Sequence, residues 1–366
     1  MRFEHVHIAA VATDLPPAEP AGGFLGSESA GAVTSEAVEA ELAPLYERLR
    51  LHPGRIELMS GIRERRFYGA GERPSAIAAR AGARALAAAR RLGVTREHLG
   101  QAVFSSVCRD FLEPASASVV HHALELEHHT ASFDLSNACL GFVDGMVLSA
   151  HLIETGVMPA ALVVAGEDGG PLVRETVRHL LAGAATRKDL KRAVASLTIG
   201  SGGAAMVLCH ADLLAHLGPH DRPPRLWGAA RRAATEHNDL CQGDTAAGGG
   251  GPLMETDSEA LLLAGVALAR ETWLDFGAST GWDVEDVERV VTHQVGRAHR
   301  KALLEGIGLD EDLDFPTVET LGNIGSVSLP LTWARSLEDD PARDRMRTAL
   351  LGIGSGLNCT MLAVRP

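Results

Sequence analysis

The chain has 366 residues, 46% of them hydrophobic and 22% charged, which suits a globular protein with an extended core, as one large domain or two similar halves. The formal net charge of -13 argues against nucleic acid as a partner, since phosphate binding needs a basic face. It argues more weakly against docking an acidic carrier protein, which a local basic patch could still do. The five cysteines (Cys108, Cys139, Cys209, Cys241 and Cys359) are odd in number and widely spread, with no CxxC pair and no zinc-type Cys/His spacing. A reduced, cytoplasmic setting is therefore expected. The N-terminal run MRFEHVHIAAVATDLPP lacks the pattern of a signal peptide. The longest apolar stretch, 260–269, is too short to span a bilayer.

Alternation in residues 3–12 predicts a strand, on which His5 and His7 read as structural. Leu42, Leu45, Tyr46 and Leu49 predict a helix within 34–50, kinked or starting late because of Pro44. Residues 75–92 read as an Ala/Arg-rich helix stopped by Gly93. FSSV (104–107) and SFDL (132–135) read as short buried strands. His121, His122, His128 and His129, with Glu125 and Glu127, read as a helix and a solvated turn rather than a metal site.

Val143, Met146, Val147, Ala150 and Ile153 share one helical face, and Gly156 supplies a stop. ALVVAGE (161–167) and GGAAMVLC (202–209) read as buried strands. GSGGA (200–204) precedes a strand, which argues against a dinucleotide loop. Residues 212–226, rich in Pro and His, read as the link between halves. A strand begins the second half, followed by a helix over about 258–276, the strand VERVVTHQ and a helix through Leu303 and Leu304. The closing segment ALLGIGSGLNCTMLAV follows. TAAGGGG (245–251) reads as a flexible loop. Strands alternating with helices predict an α/β fold with two layered sheets.

Four positions could carry chemistry. SFDL runs into the turn SNA, and a helix starts at Cys139 or just after it. Unpaired backbone N–H groups and the helix dipole would favour a nucleophilic thiolate there, although a small buried thiol fits the same position. His293 leaves the strand VERVVTHQ and is either an acid/base or a hydrogen-bonded core histidine. Asn323, between Gly322 and Gly325, is either a turn residue or a donor to a developing oxyanion. The Gly-rich loop GIGSGL (352–357) could present the backbone N–H of Ser355 to an oxyanion.

Taken together, SGIRERRF, SFDLSNACLGFVDGM, VVTHQ, GNIGSVSLPL and GIGSGL resemble ketoacyl-acyl-carrier-protein synthase III in order and spacing over nearly the whole chain. The resemblance implies the thiolase fold: two similar βαβαβαββ halves, 1–212 and 213–366, forming a five-layered αβαβα sandwich. It implies a Cys139–His293–Asn323 triad, an oxyanion hole from the backbone N–H groups of Cys139 and Ser355, and a homodimer built on the N-terminal half. Cys359 lacks the CxG context of the thiolases' second reactive cysteine and reads as a packed strand residue.

The synthase's HQANxR run departs here to His293-Gln294-Val295-Gly296-Arg297-Ala298, which puts carrier-protein use in doubt. SSVCRDFLEPASASVV, AATEHNDLCQG and HQVGRAH are similar instead to OleA-type enzymes of head-to-head olefin synthesis. In that family the glutamate matching Glu113 reaches the partner subunit's site as a base. Condensing two ordinary acyl thioesters requires removal of an unactivated α-proton, whereas decarboxylating malonyl requires no base. The resemblance thus implies non-decarboxylative Claisen condensation of two long-chain fatty acyl-CoAs. The product would be a 2-alkyl-3-ketoacyl compound passed to olefin, ketone or β-lactone enzymes. No metal or cofactor beyond the coenzyme A thioester substrates is implied. The alternative is decarboxylative condensation with a malonyl thioester.

Overall fold

The computed structural model describes residues 1–25, 29–245 and 252–366. Its first half runs β1 (Val6–Asp14), α1 (Pro74–Arg90), β2 (Leu99–Phe104), α2 (Ser116–Ala123), β3 (Ala131–Asp134), α3 (Gly141–Glu154), β4 (Ala160–Glu167) and β5 (Gly202–His210). Its second half repeats that order with β6 (Arg225–Ala233), α4 (Ser258–Thr280), β7 (Arg289–Thr292), α5 (Arg297–Ile307), α6 (Ser328–Asp339), β8 (Thr348–Gly354) and β9 (Asn358–Arg365). The place of β3 is taken by one parallel bridge, Val290 to Asp314, on the far edge of β7.

Hydrogen bonding connects the strands in the order β7-β8-β9-β6-β1-β5-β4-β2-β3. Between β1 and β6 the ladder is one pair, His7 with Arg225, beside the isolated bridge Arg2–Gly228. Helices α3 and α6 contact strands of both halves, α1 and α2 cover the outside of the first, and α4 and α5 the outside of the second. The result is the five-layered αβαβα sandwich of the thiolase fold.

The core follows these layers. The middle one holds Val143, Met146, Val147, Ala150 and Ile153 of α3 with Trp333 of α6. The outer first-half layer relies on the small Ala78, Ala81, Ala85 and Ala89, which let α1 lie close to its sheet. Leu268, Phe276 and Leu304 fill the outer second-half layer.

Several local expectations shift. Pro44 divides the 34–50 helix into Ser35–Glu41 and Ala43–Leu49, since its ring is tolerated only in a first helical turn. The strand expected at 104–107 lies at Leu99–Phe104, because Ser106 turns its hydroxyl onto the Gly166 N–H instead of continuing the ladder. β3 is only partly buried, being the last strand of the sheet with one edge open. Helix α4 runs on to Thr280, where Gly281 at φ +75° ends it. Two 3-10 turns occupy the 212–226 connection. In the TAAGGGG run, residues 246–251 lie outside the described residues.

Candidate active site

The site lies where β4, β7 and β8 end and α3 and α6 begin. Cys139 sits two residues before α3, after a turn in which Ala138 adopts φ +45°. That turn is pinned through side chains. Asn137 Nδ2 donates to the buried Asp144, whose carboxylate also pairs with Arg231 and accepts from Thr360 Oγ1 at 3.1 Å. Asn358 Nδ2 donates to Asn137 Oδ1 at 3.3 Å. The end of β8 closes on the turn: a Cβ at Gly354 would lie 3.5 Å from the Cys139 nitrogen. That Cβ would also meet Leu140 Cγ at 3.1 Å, so glycine lets β8 approach the turn closely, beside the hairpin that carries Ser355.

The thiol environment differs from the sequence expectation. Burial pushes the Cys139 thiol up to about 12, with Cys241 and Glu167 adding to the effect. Desolvation outweighs the helix end, so the resting sulfur is protonated and needs a base.

His293 follows β7, and its N–H donates to Leu351 O at 2.9 Å, joining it to β8 three residues before Gly354. The residues around it are immobilised. Thr292 binds Asp314 through N and Oγ1 (3.1 and 3.0 Å), and Gln294 Oε1 accepts from the N–H groups of Thr317 and Val318. His293 itself is buried, and its Nδ1 has no partner among the described residues. Burial, and then His299, lower its pKa to about 4, so the ring is neutral at neutral pH.

Asn323 precedes α6 as Cys139 precedes α3. Its backbone is tied down on both sides, with N donating to Thr198 O at 3.1 Å and O accepting from Gly200 N at 2.8 Å. Its Oδ1 accepts from Gly325 N at 3.0 Å and Ser328 Oγ at 3.4 Å. Those bonds fix the amide so that its NH₂ is the end presented to a ligand.

Cys139, His293 and Asn323 thus come to one end of the sandwich, and Glu113 does not join them. It is exposed on a loop whose neighbours Val107, Phe111 and Leu112 are also exposed, Leu112 at 96%. The loop's base is held by Asp110, which accepts from Ser75 N and Oγ.

Glu167 was not singled out from the sequence. It is a buried carboxylate at the end of β4, bonded to the 107–108 backbone and to Ser326. A lone acid closing the apolar run ALVVAG was the signal for it. Cys241 and His299 lie within the segments AATEHNDLCQG and HQVGRAH but were given no role there. The other cysteines are not poised to react. Cys359 and Cys209 are buried in strands and pushed up to about 12, and Cys108 is raised by burial. No group of three or more His, Cys, Asp or Glu among the described residues could hold a metal. A Cβ at Gly296 would lie 3.1 Å from Ser60 O, so the synthase's asparagine there would need the backbone to shift. No helix among the described residues is long and apolar enough to cross a membrane.

A cysteine at the start of a central helix, a neutral imidazole on the neighbouring strand end and an oriented amide before the paired helix define an acyltransferase of the thiolase superfamily. Residues 133–215 and 278–365 match the 3-oxoacyl-acyl-carrier-protein (ACP) synthase III family and its C-terminal part. An acyl-CoA:acyl-CoA alkyltransferase of Shewanella oneidensis is 36% identical, with 100% of both chains covered. A crystal structure of Xanthomonas campestris OleA superposes with a TM-score of 0.88 at 33% identity, covering 100% of this chain and 98% of the other. A cysteine-to-serine variant of OleA with bound lauric acid and lauroyl-CoA gives a TM-score of 0.87 at 33% identity, with 100% of both chains covered. The chain belongs to the acyl-CoA:acyl-CoA alkyltransferase family.

Proposed function

We propose that the protein joins two long-chain fatty acyl-CoAs by non-decarboxylative Claisen condensation. The observation that carries this reading is the projecting loop that holds Glu113, a carboxylate that decarboxylative condensation does not need. His293 takes the Cys139 proton and the thiolate attacks the first thioester carbonyl. The N–H groups of Cys139 and Ser355 hold the oxyanion. Coenzyme A leaves with the proton from His293. Glu113 of a second subunit removes the α-proton of the next acyl-CoA, while His293 and Asn323 stabilise the charge on its thioester oxygen. The carbanion attacks the Cys139 acyl group, and collapse expels the Cys139 thiolate and a 2-alkyl-3-ketoacyl-CoA. Glu113 releases the α-proton to solvent and the thiolate regains one, which restores both groups.

A homodimer is supported by the open edge of β3 and the exposed apolar loop, both on the first half. The division of the halves falls near residue 212. The product would feed olefin, ketone or β-lactone formation in the cytoplasm.

One fatty acyl-CoA with no malonyl donor decides between this reading and its decarboxylative rival. Coenzyme A release with a β-keto product is expected. Product that forms only after malonyl-CoA is added would sink the reading. The pH dependence checks the base. With His293 titrating near 4, its neutral form persists at mildly acid pH. Acylation of Cys139, followed by intact mass, should then show no loss as pH falls from about 7.5 to about 5.5. A midpoint near the ordinary histidine value of about 6.5 would contradict this.

A further inference from the structure

Glu167 joins two parts of the site that are far apart in sequence. Its Oε1 accepts from Val107 N at 2.9 Å and from Ser326 N and Oγ at 3.2 and 2.7 Å. Its Oε2 accepts from Cys108 N at 3.0 Å. On one side lies the root of the loop that carries Glu113. On the other lies the turn after Asn323, where Gly325 adopts φ +54° and a Cβ would come 3.1 Å from Oε1. The carboxylate is 3% exposed and receives four hydrogen bonds, three of them from backbone N–H groups. A salt-bridged surface acid would leave both loops free to move. A buried acceptor with several backbone donors fixes them relative to each other.

We propose that Glu167 is a positioning residue that locks the Asn323 turn to the root of the Glu113 loop, setting the geometry of the carbon–carbon bond-forming half-reaction. The proposal rests on the reading in which Glu113 is the α-proton base. If Glu113 crosses the dimer, Glu167 ties the Asn323 of one site to the base offered to the other. The two oxygens are not equivalent, and that gives a selective test. In Glu167→Gln the amide oxygen keeps the donors of Val107 and Ser326, and the NH₂ then faces the Cys108 N–H, donor against donor. The reverse orientation would oppose two backbone donors. The substitution therefore releases the Glu113 side and leaves the Asn323 side held. Burial raises the Glu167 pKa, and its charged form disfavours the Cys139 thiolate, so a neutral amide there does not oppose ionisation of the thiol.

The experiment measures two half-reactions in the full-length protein: Cys139 acylation by a fatty acyl-CoA, read by intact mass, and β-keto product formation. Glu167→Gln should keep acylation within about twofold and cut condensation by about tenfold or more, so that acyl-enzyme accumulates. In the double variant with Glu113→Gln, the added loss should be small, since both changes act through one group. Ser326→Ala, which deletes a single hydroxyl, covers the case in which Glu167→Gln does not fold. It should lower condensation by a smaller factor and spare acylation. Acylation and condensation falling in proportion, or losses that multiply independently with Glu113→Gln, would overturn the proposal. Normal condensation by Glu113→Gln alone would instead overturn the reading beneath it.

Discussion

Replacing Cys139 with alanine should abolish the acyl adduct and lower condensation on the order of 10³-fold or more, because the covalent route disappears. The protein should still fold. Deleting one sulfur from a turn held by Asn137, Asp144, Arg231 and Asn358 should cost about 1 kcal/mol or less. Intact mass after incubation with a fatty acyl-CoA reads the result directly. An adduct that survives in Cys139→Ala would move the nucleophile elsewhere, and Cys241 is the thiol to test next because it influences Cys139 electrostatically. Since Cys139 rests protonated, His293→Ala should slow acylation as well. A cysteine already ionised by the helix end would not need that base.

Glu113→Gln should separate the two half-reactions. Acylation of Cys139 needs no α-proton base and should continue, while condensation falls on the order of 10²- to 10⁴-fold. The exposed position of Glu113 adds a second expectation. Within its own subunit it does not join Cys139, His293 and Asn323, and in the proposed mechanism it acts on the site of a partner. Co-expressing Cys139→Ala with Glu113→Gln subunits should restore activity that neither variant has. Random pairing makes half of the dimers mixed, each with one complete site, so about a quarter of the wild-type rate is expected. No recovery in verified mixed dimers would place the base within one subunit or exclude Glu113.

Fatty acyl chemistry was legible largely because of the motifs around reactive residues. SFDLSNACLGF marks a turn into a helix by its own residues, and VVTHQ marks the end of a buried strand. Both are local patterns, and the structure keeps them. The alternation of strand and helix was local too, and the second half's repeat of that order, with one bridge in place of β3, follows from it. The 34–50 helix was readable apart from its break, and even there Pro44 gave the reason.

Long-range features were not legible. Whether β3 is buried depends on which strands lie beside it, and it is the last of nine. Glu167 meets Ser326 across 159 residues of sequence, and no periodicity records that pairing. The same limit applies to the state of the nucleophile. A thiol before a helix suggests ionisation, but desolvation depends on every element packed around it, and here desolvation wins.

By itself, then, the sequence determined the order of elements and the α/β class, because those are written in local patterns. Its own neighbours left each of Cys139, His293 and Asn323 with a second reading, and only the family resemblance joined them as a set. Only the tertiary structure decided that Cys139 rests as a thiol, that His293 is neutral, that Glu113 stands on the surface and that Glu167 ties two loops together. Burial and hydrogen bonding between distant segments set all four. Those quantities exist only once the layers have packed.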